Sequence, residues 1–185
     1  MTAGQTITIS PGGAGDAGTV LRLLDTATAW LVAQGRSSQW GSTPASTDPR
    51  RLAQVRQWTG GKGLHLARFG EHPVGALVVG TATEHVPPAT EPELYVNLLV
   101  TDRAYAGLGI GARLLAHAAG LAQAAGVGLL RVDCYAGDDR ALVRWYERQG
   151  FTATDRFVVP RPGRLGWPGQ VLVRRLPRPA GTTAR

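Results

Sequence analysis

Cys134 is the sole cysteine of this 185-residue chain. No internal disulfide can form, and the reducing cytoplasm is the natural compartment. No N-terminal basic-then-apolar signal and no long uncharged apolar run occur, so neither secretion nor a membrane partner is expected. The four histidines, His65, His72, His85 and His117, are scattered without metal-ligand spacing, and no metal is expected. None stands in a motif that would make Cys134 a nucleophile, which leaves that residue as a buried, inert thiol. Lysine is almost missing too: Lys62 is alone among nineteen arginines, in a chain of net charge +7. The arginines run from Arg22 to Arg185 with pairs only at Arg50-Arg51 and Arg174-Arg175. Charge gathered on one stripe and interleaved with aromatics is absent, so nucleic acid is not expected as a partner. The excess positive charge is suited to drawing in a polyanionic cofactor.

Against these absences, a hydrophobic content of 43% gives one ordinary domain with a sizeable core. Gln5 to Ser10 alternates as a first strand. Asp16 to Gln34 places Val20, Leu23, Leu24, Ala27 and Leu31 at helical spacing and closes at Gly35. Asp48 before Pro49 opens a second helix to about Trp58. Gly63 to Phe69 and Val74 to Thr81 read as a hairpin around Gly70 to Pro73. Glu93 to Val100 looks apolar on both faces, as a central strand should. Ile110, Leu114, Ala118, Leu121 and Ala125 mark the core face of a third helix. Leu129 to Cys134 is a strand, Arg140 to Gln149 a helix, and Phe157 to Val159 with Gln170 to Leu176 the last strands. The polar, proline-bearing tail 177–185 is expected to be disordered.

The densest signal lies between the central strand and the third helix, in YAGLGIGARLL, Tyr105 to Leu115. Gly107, Gly109 and Gly111 stand where a strand and loop hand over to a helix. Backbone without Cβ atoms lets a ligand come close, and the first helical N–H groups point outward, a setting for an anion and above all a pyrophosphate. Gly107 to Ala112 formally satisfies the dinucleotide fingerprint, with Asp133 at about the right distance downstream. Thr101 to Ala106, however, separates the strand from the first glycine by too long a loop for that tight turn. A Walker phosphate loop is excluded because no Gly-Lys-Ser/Thr occurs.

Together with the segment that follows, this stretch resembles the GNAT superfamily of acyl-CoA-dependent N-acetyltransferases. That family carries Arg/Gln-x-x-Gly-x-Gly/Ala at a helix start, then a strand and a second helix ending in Tyr-x-x-x-Gly-Phe. Here Gly109-Ile110-Gly111 is followed at the expected separation by Tyr146 to Gly150 and Phe151. The chain departs at Ala106, where the family has Arg or Gln. Asp139 and Leu142 stand where the family has a helix-opening Asn and a small residue. The resemblance implies an α/β fold in a single domain, residues 1–176. Its mixed, mostly antiparallel sheet of about seven strands would be flanked by about four helices and splayed between the two central parallel strands.

It also implies acetyl-CoA as acyl donor and direct transfer of the acetyl group to an amine, here of a small molecule, by a monomer or homodimer. The alternative acceptor is a peptide or protein amine, and a non-catalytic acyl-CoA-binding module is the reading outside enzymes. The cofactor would lie along Leu98, Leu99 and Val100 and over Arg103 and Ala106 to Ala112 (Ala106, Gly107, Leu108, Gly109, Ile110, Gly111 and Ala112), with Asp139 and Leu142 nearby. Tyr146 occupies the position whose hydroxyl returns a proton to the departing thiolate. The base that frees the amine is open between Asp133 and Glu93, with Glu91 or a water chain as further possibilities. Trp30, Gln39, Trp40, Tyr95, Asn97 and Trp167 are candidates for an aromatic-lined acceptor pocket.

Overall fold

In the computed structural model, the described residues are 6–137, 139–161, 163 and 165–177. Most of the tail expected to be disordered, 178–185, lies outside them. Seven strands form one sheet in the order β1-β2-β3-β4-β5-β7-β6. They are β1 (Ile7–Pro11), β2 (Leu64–Phe69), β3 (His72–Gly80), β4 (Glu93–Thr101), β5 (Leu129–Tyr135), β6 (Thr152–Val159) and β7 (Trp167–Arg175). Four α-helices accompany them among the described residues: α1 (Ala17–Ala33), α2 (Pro49–Gly60), α3 (Ile110–Ala124) and α4 (Ala141–Arg148). The β1–β2, β2–β3, β5–β7 and β6–β7 pairs are antiparallel, and β4–β5 is parallel. This is the mixed α/β architecture that the resemblance implies. The chain clusters into two compact units, Met1–Val79 with Leu98–Leu114, and Gly80–Asn97 with Leu115–Arg185.

In the first unit, α1 buries Val20, Leu23, Leu24, Ala27 and Leu31. Val20, Leu23, Leu24 and Ala27 pack with Val55 of α2, Leu64 and Leu66 of β2, Ala76 and Val78 of β3, and Leu98 and Val100 of β4. Each fully buried leucine or valine contributes roughly 1.5–3 kcal/mol, so this cluster holds the two helices on the sheet. The Asp48 side chain accepts the Arg50 N–H at 2.9 Å and Pro49 takes the first helical position, which fixes the start of α2. The β2–β3 hairpin is tighter than its sequence suggests. Phe69 pairs with His72 around Gly70, whose φ is +58°. Pro73, which cannot donate to a ladder, is absorbed by a register shift beside it. Gly75 serves close approach instead: a Cβ there would stand 2.9 Å from Ile110 Cγ2 and 3.2 Å from Val100 O. Its absence lets the first turn of α3 pack onto β3.

Three helices end alike. After α1, α3 and α4, Gly35, Gly126 and Gly150 adopt positive φ, and the following residue donates back to the carbonyl five positions earlier. This is the Schellman closure. In α4 it explains the Tyr-x-x-x-Gly-Phe pattern. Phe151 N–H donates to Tyr146 O at 3.2 Å, and the two rings meet edge-on at 5.7 Å. On α3 the buried stripe is Ile110, Leu114, Leu115, Ala118, Ala119 and Ala122. Leu121 sits half-buried at its edge, and Ala125 is exposed because the helix closes at Ala124. The last hairpin is longer than expected, with β6 beginning at Thr152 and β7 already at Trp167.

Candidate functional site

The 3-10 turn Arg103–Tyr105 and the four exposed residues Ala106, Gly107, Leu108 and Gly109 lead from β4 into α3. Asp102 caps that turn through the Ala104 N–H at 3.0 Å, and its backbone N–H donates to Val74 O. Arg22 of α1 grips the same place, bonding Asp102 Oδ2 at 3.3 Å and Pro73 O at 2.8 Å. The loop base is therefore fixed to α1 and β3. Gly107 and Gly109 have φ of +88° and +67°, and a Cβ at either would meet nothing within 4 Å. These glycines thus keep the loop in a left-handed conformation facing open space, rather than relieving a clash. The first helical N–H with a backbone acceptor is that of Arg113, donating to Gly109 O at 3.0 Å. The N–H groups of Ile110, Gly111 and Ala112 precede it, in the stretch that a helix leaves without intrahelical acceptors. Open space, bare backbone and a helix N-terminus fit a diphosphate. Arg103, three residues before Ala106, stacks its guanidinium 4.0 Å above the Trp30 ring. It is a cation held close to the loop in sequence. Leu98 and Val100 turn their side chains into the core, while Leu99 between them is half-buried, so the backbone and Leu99 are what that segment has left to meet a ligand.

The second unit holds the titratable groups. The β4–β5 register runs from Glu93↔Leu129 to Val96↔Val132 and ends there, while Asp133, Cys134 and Tyr135 continue pairing with β7. Glu93, Tyr95 and Asn97 alternate along one face of β4, and each finds a polar partner. The strand is thus not apolar on both faces: its second face is a row of satisfied polar groups. Glu93 Oε2 takes Arg131 Nη1 at 2.9 Å in a largely buried ion pair. Arg131 Nη2 also donates to Pro87 O at 2.7 Å, and Asn97 Nδ2 donates to Thr81 O at 2.8 Å. The loop between β3 and β4 is tied to the sheet at both points. Glu91 pairs with Arg175. The Tyr95 hydroxyl donates to Asp133 Oδ1 at 2.5 Å. Tyr95 is wholly buried in a cluster with Val86 and Val171, whereas Asp133 keeps an open side. Burial raises the Asp133 carboxyl above its usual range, against the opposing pull of the Tyr95 hydrogen bond, of its own backbone N–H and of a nearby His85.

Tyr146 of α4 is 5% exposed, its ring held edge-on by Trp145 and Phe151. Its hydroxyl makes no hydrogen bond to a described residue. Burial, with Cys134 and Asp133 nearby, pushes its ionisation far up, so it is a phenol at any working pH. Cys134 is buried and its thiol is pushed up to about 12, chiefly by burial, which denies it a nucleophilic thiolate. Asp139 accepts the Ala141 N–H at 2.9 Å at the start of α4. Leu142 in the first turn is half-buried. Arg140 between them has φ of +52° and reaches Gln170 Oε1 at 3.2 Å.

Trp30, Gln39 and Trp40 belong to the first unit, and Tyr95, Asn97 and Trp167 to the second. Trp40 packs with Trp58 against the core of the first unit, while Trp30 lies under Arg103. Gln39 sits in the turn after α1, its N–H on Arg36 O. Trp167 opens β7, with its ring 5.8 Å from Tyr135 and 6.1 Å from Phe157. Tyr135 was missed in the sequence, although Arg131, Asp133 and Tyr135 alternate onto one face of β5. Among the described residues no cluster of His, Cys, Asp and Glu fits a metal ion. No helix among them is long and apolar enough to cross a membrane.

The chain matches the Acetyltransferase (GNAT) family over residues 23–151. No curated protein matches it. Solved structures share the fold at low identity. One is the ribosomal-protein-S18-alanine N-acetyltransferase from Escherichia coli: 15% identity, 97% of this chain and 99% of that one, TM-score 0.66. Another is yncA from Salmonella typhimurium with its cofactor acetyl-CoA: 17% identity, 97% and 99% coverage, TM-score 0.61. A third is the NatC complex bound to Gag peptide and CoA: 18% identity, 92% and 99% coverage, TM-score 0.62.

Proposed function

This chain belongs to the GNAT family of acetyltransferases, enzymes that use acetyl-CoA, and we propose that it moves the acetyl group to the amine of a small molecule with an apolar body. One observation carries the acceptor class. Asp133, a carboxylate with an open side, lies two residues from Tyr135 on the same face of β5, and Tyr135 packs against Trp167. An ammonium group suits the carboxylate, and an aromatic wall suits an apolar body and stabilises a cation.

Acetyl-CoA supplies an activated thioester. The backbone N–H groups of Ile110, Gly111 and Ala112 are suited to its diphosphate, with Arg103 as the accompanying cation, because Ala106 offers no charge at the loop entrance. Asp133 is the base: a carboxylate Oδ accepts a proton as an ammonium N–H bond breaks, leaving a neutral nitrogen that can attack. An alkylammonium with a pKa near ~10 needs this step at neutral pH, and a base raised by burial is better matched to it than an ordinary carboxylate. Glu93 is the less suitable base, since Arg131 occupies it and would hold it ionised. Tyr146 is the acid that protonates the departing sulfur. Its phenol stays protonated until a thiolate forms beside it.

The peptide reading survives as the competing acceptor class. The test is titration calorimetry with acetyl-CoA, CoA, NAD and ATP, followed by product mass spectrometry on mixed panels of small amines and peptides. Acetyl-CoA binding with acetylated small amines supports the proposal. Acetylation confined to peptides would move the acceptor class, and heat from NAD but not from CoA would sink the whole reading.

A further inference from the structure

The face of β4 that carries Glu93, Tyr95 and Asn97 shows a repeated offset. Glu93 lies opposite Leu129 but bonds Arg131, and Tyr95 lies opposite Arg131 but bonds Asp133. Each β4 side chain thus reaches two residues further along β5. The first of these bonds belongs to an ion pair that also holds the β3–β4 loop through Pro87 O. The second ends on the carboxylate already assigned as base. The Tyr95 ring cannot touch an acceptor, because it is sealed among Val86, Val171, Ala82 and Phe157, with the Arg131 guanidinium 5.9 Å from its centre. Its hydroxyl nevertheless occupies Asp133 Oδ1 at 2.5 Å.

We propose that Tyr95 is the positioning residue for Asp133: it holds one carboxylate oxygen by a short hydrogen bond and so leaves the other, in a fixed orientation, to take the proton from the acceptor amine. A fixed donor does two things for a base. It removes the free rotation of the carboxylate, so that the second oxygen meets the substrate in one geometry. It also stabilises the ionised form, which keeps a desolvated carboxylate available as a base. Without it, burial alone would drive Asp133 towards the neutral acid. Packing does not require the hydroxyl, since a phenylalanine would fill the same apolar cluster. This inference rests on Asp133 being the base, as proposed above.

The charged and titratable groups around Asp133 come from four sides. Tyr95 lies on β4, Cys134 on β5 and Tyr146 on α4; Glu93 and Arg131 act on Tyr95, and Glu147 of α4 and Arg140 just before it act on Cys134. His85 reaches in from the β3–β4 loop. From β7 the register partner of Asp133 is Val171, which is apolar. Only Tyr95 among them donates a side-chain hydrogen bond to the carboxylate.

The experiment is the pH profile of kcat/KM for the full chain, with acetyl-CoA and the best amine from the panel, in Tyr95→Phe, Asp133→Asn and a protein with 3-fluorotyrosine in place of Tyr95. Removing the donor raises the Asp133 pKa, so Tyr95→Phe should move the acid limb to higher pH. It should lower kcat/KM at neutral pH on the order of ten-fold, with acetyl-CoA affinity unchanged. Fluorination makes the phenol a stronger donor and should move the limb the other way without altering the packing, so the test survives even if Tyr95→Phe folds poorly. Asp133→Asn should lose the acid limb and most turnover. A limb that stays in place in both Tyr95 proteins while Asp133→Asn is inactive would overturn the positioning role and leave the base intact. Wild-type turnover in Asp133→Asn would overturn the base, and the inference with it. The profiles are repeated on a His85→Gln background, where a limb that no longer answers to Tyr95 would assign the titration to His85 and refute the proposal.

Discussion

Gly109 offers the sharpest test of the proposed cofactor loop, because strain and occlusion can be separated there. Its φ of +67° belongs to the left-handed region, and a Cβ would meet nothing within 4 Å. A substitution therefore costs folding energy through backbone strain alone: about 1–2 kcal/mol for valine and much less for asparagine, which enters that region readily. For a domain of this size a kcal/mol corresponds to roughly 2–4 °C in Tm. Gly109→Val should thus melt about 2–8 °C lower, and Gly109→Asn close to wild type. Binding should not follow the same order. Either side chain enters the space that a diphosphate needs to reach the amides of Ile110, Gly111 and Ala112. Each hydrogen bond to a charged group is worth about 1.5–3 kcal/mol, so losing one or two weakens acetyl-CoA between about 10-fold and about 10⁴-fold. Calorimetric titration gives the affinity and scanning calorimetry the Tm. Gly126→Asn is the control, since Gly126 has a similar φ of +71° and equally open space but lies after the other end of α3. It should alter neither quantity much. A folded Gly109→Asn protein with wild-type affinity for acetyl-CoA would refute the loop as the diphosphate site.

Two further predictions concern the second unit. Tyr146→Phe should cut turnover about 10²–10⁴-fold while leaving acetyl-CoA affinity and Tm nearly unchanged, because the ring contacts with Trp145 and Phe151 survive; steady-state kinetics with unaltered kcat would remove Tyr146 from the mechanism. Asp133→Asn should be more stable than the wild type near neutral pH and equal to it in acid. The Asp133 pKa is raised in the folded state, so between the unfolded and folded pKa values the native protein holds the extra proton and stability falls as pH rises; Tm measured against pH for both proteins decides this, and a wild type that gains on the variant with rising pH would contradict it.

What could be read from the sequence was local. Gly150 and Phe151 announce their roles because a Schellman closure needs a left-handed residue and a following apolar one, all within six positions of Tyr146. Gly107 and Gly109 are equally legible, since positive φ in a loop ahead of a helix selects glycine whatever the rest of the chain does. The partnership of Tyr95 with Asp133 could not be read in this way. The two lie 38 positions apart, and only the parallel register of β4 on β5, with its two-residue offset, brings the hydroxyl to the carboxylate. The same register makes Glu93 the counterion of Arg131. The tryptophans are ambiguous for a related reason. Large aromatics serve a core as well as a pocket, and nothing in Gln39-Trp40 says that the indole packs against the core of the first unit. Tyr135 has the opposite history: it carries no motif, yet its place two residues beyond Asp133 puts it on the same face of β5 as the carboxylate proposed as base. Strand alternation around a titratable residue was therefore the usable signal that went unread, and under the proposed function it points to acceptor-side residues that no glycine or tyrosine motif encodes.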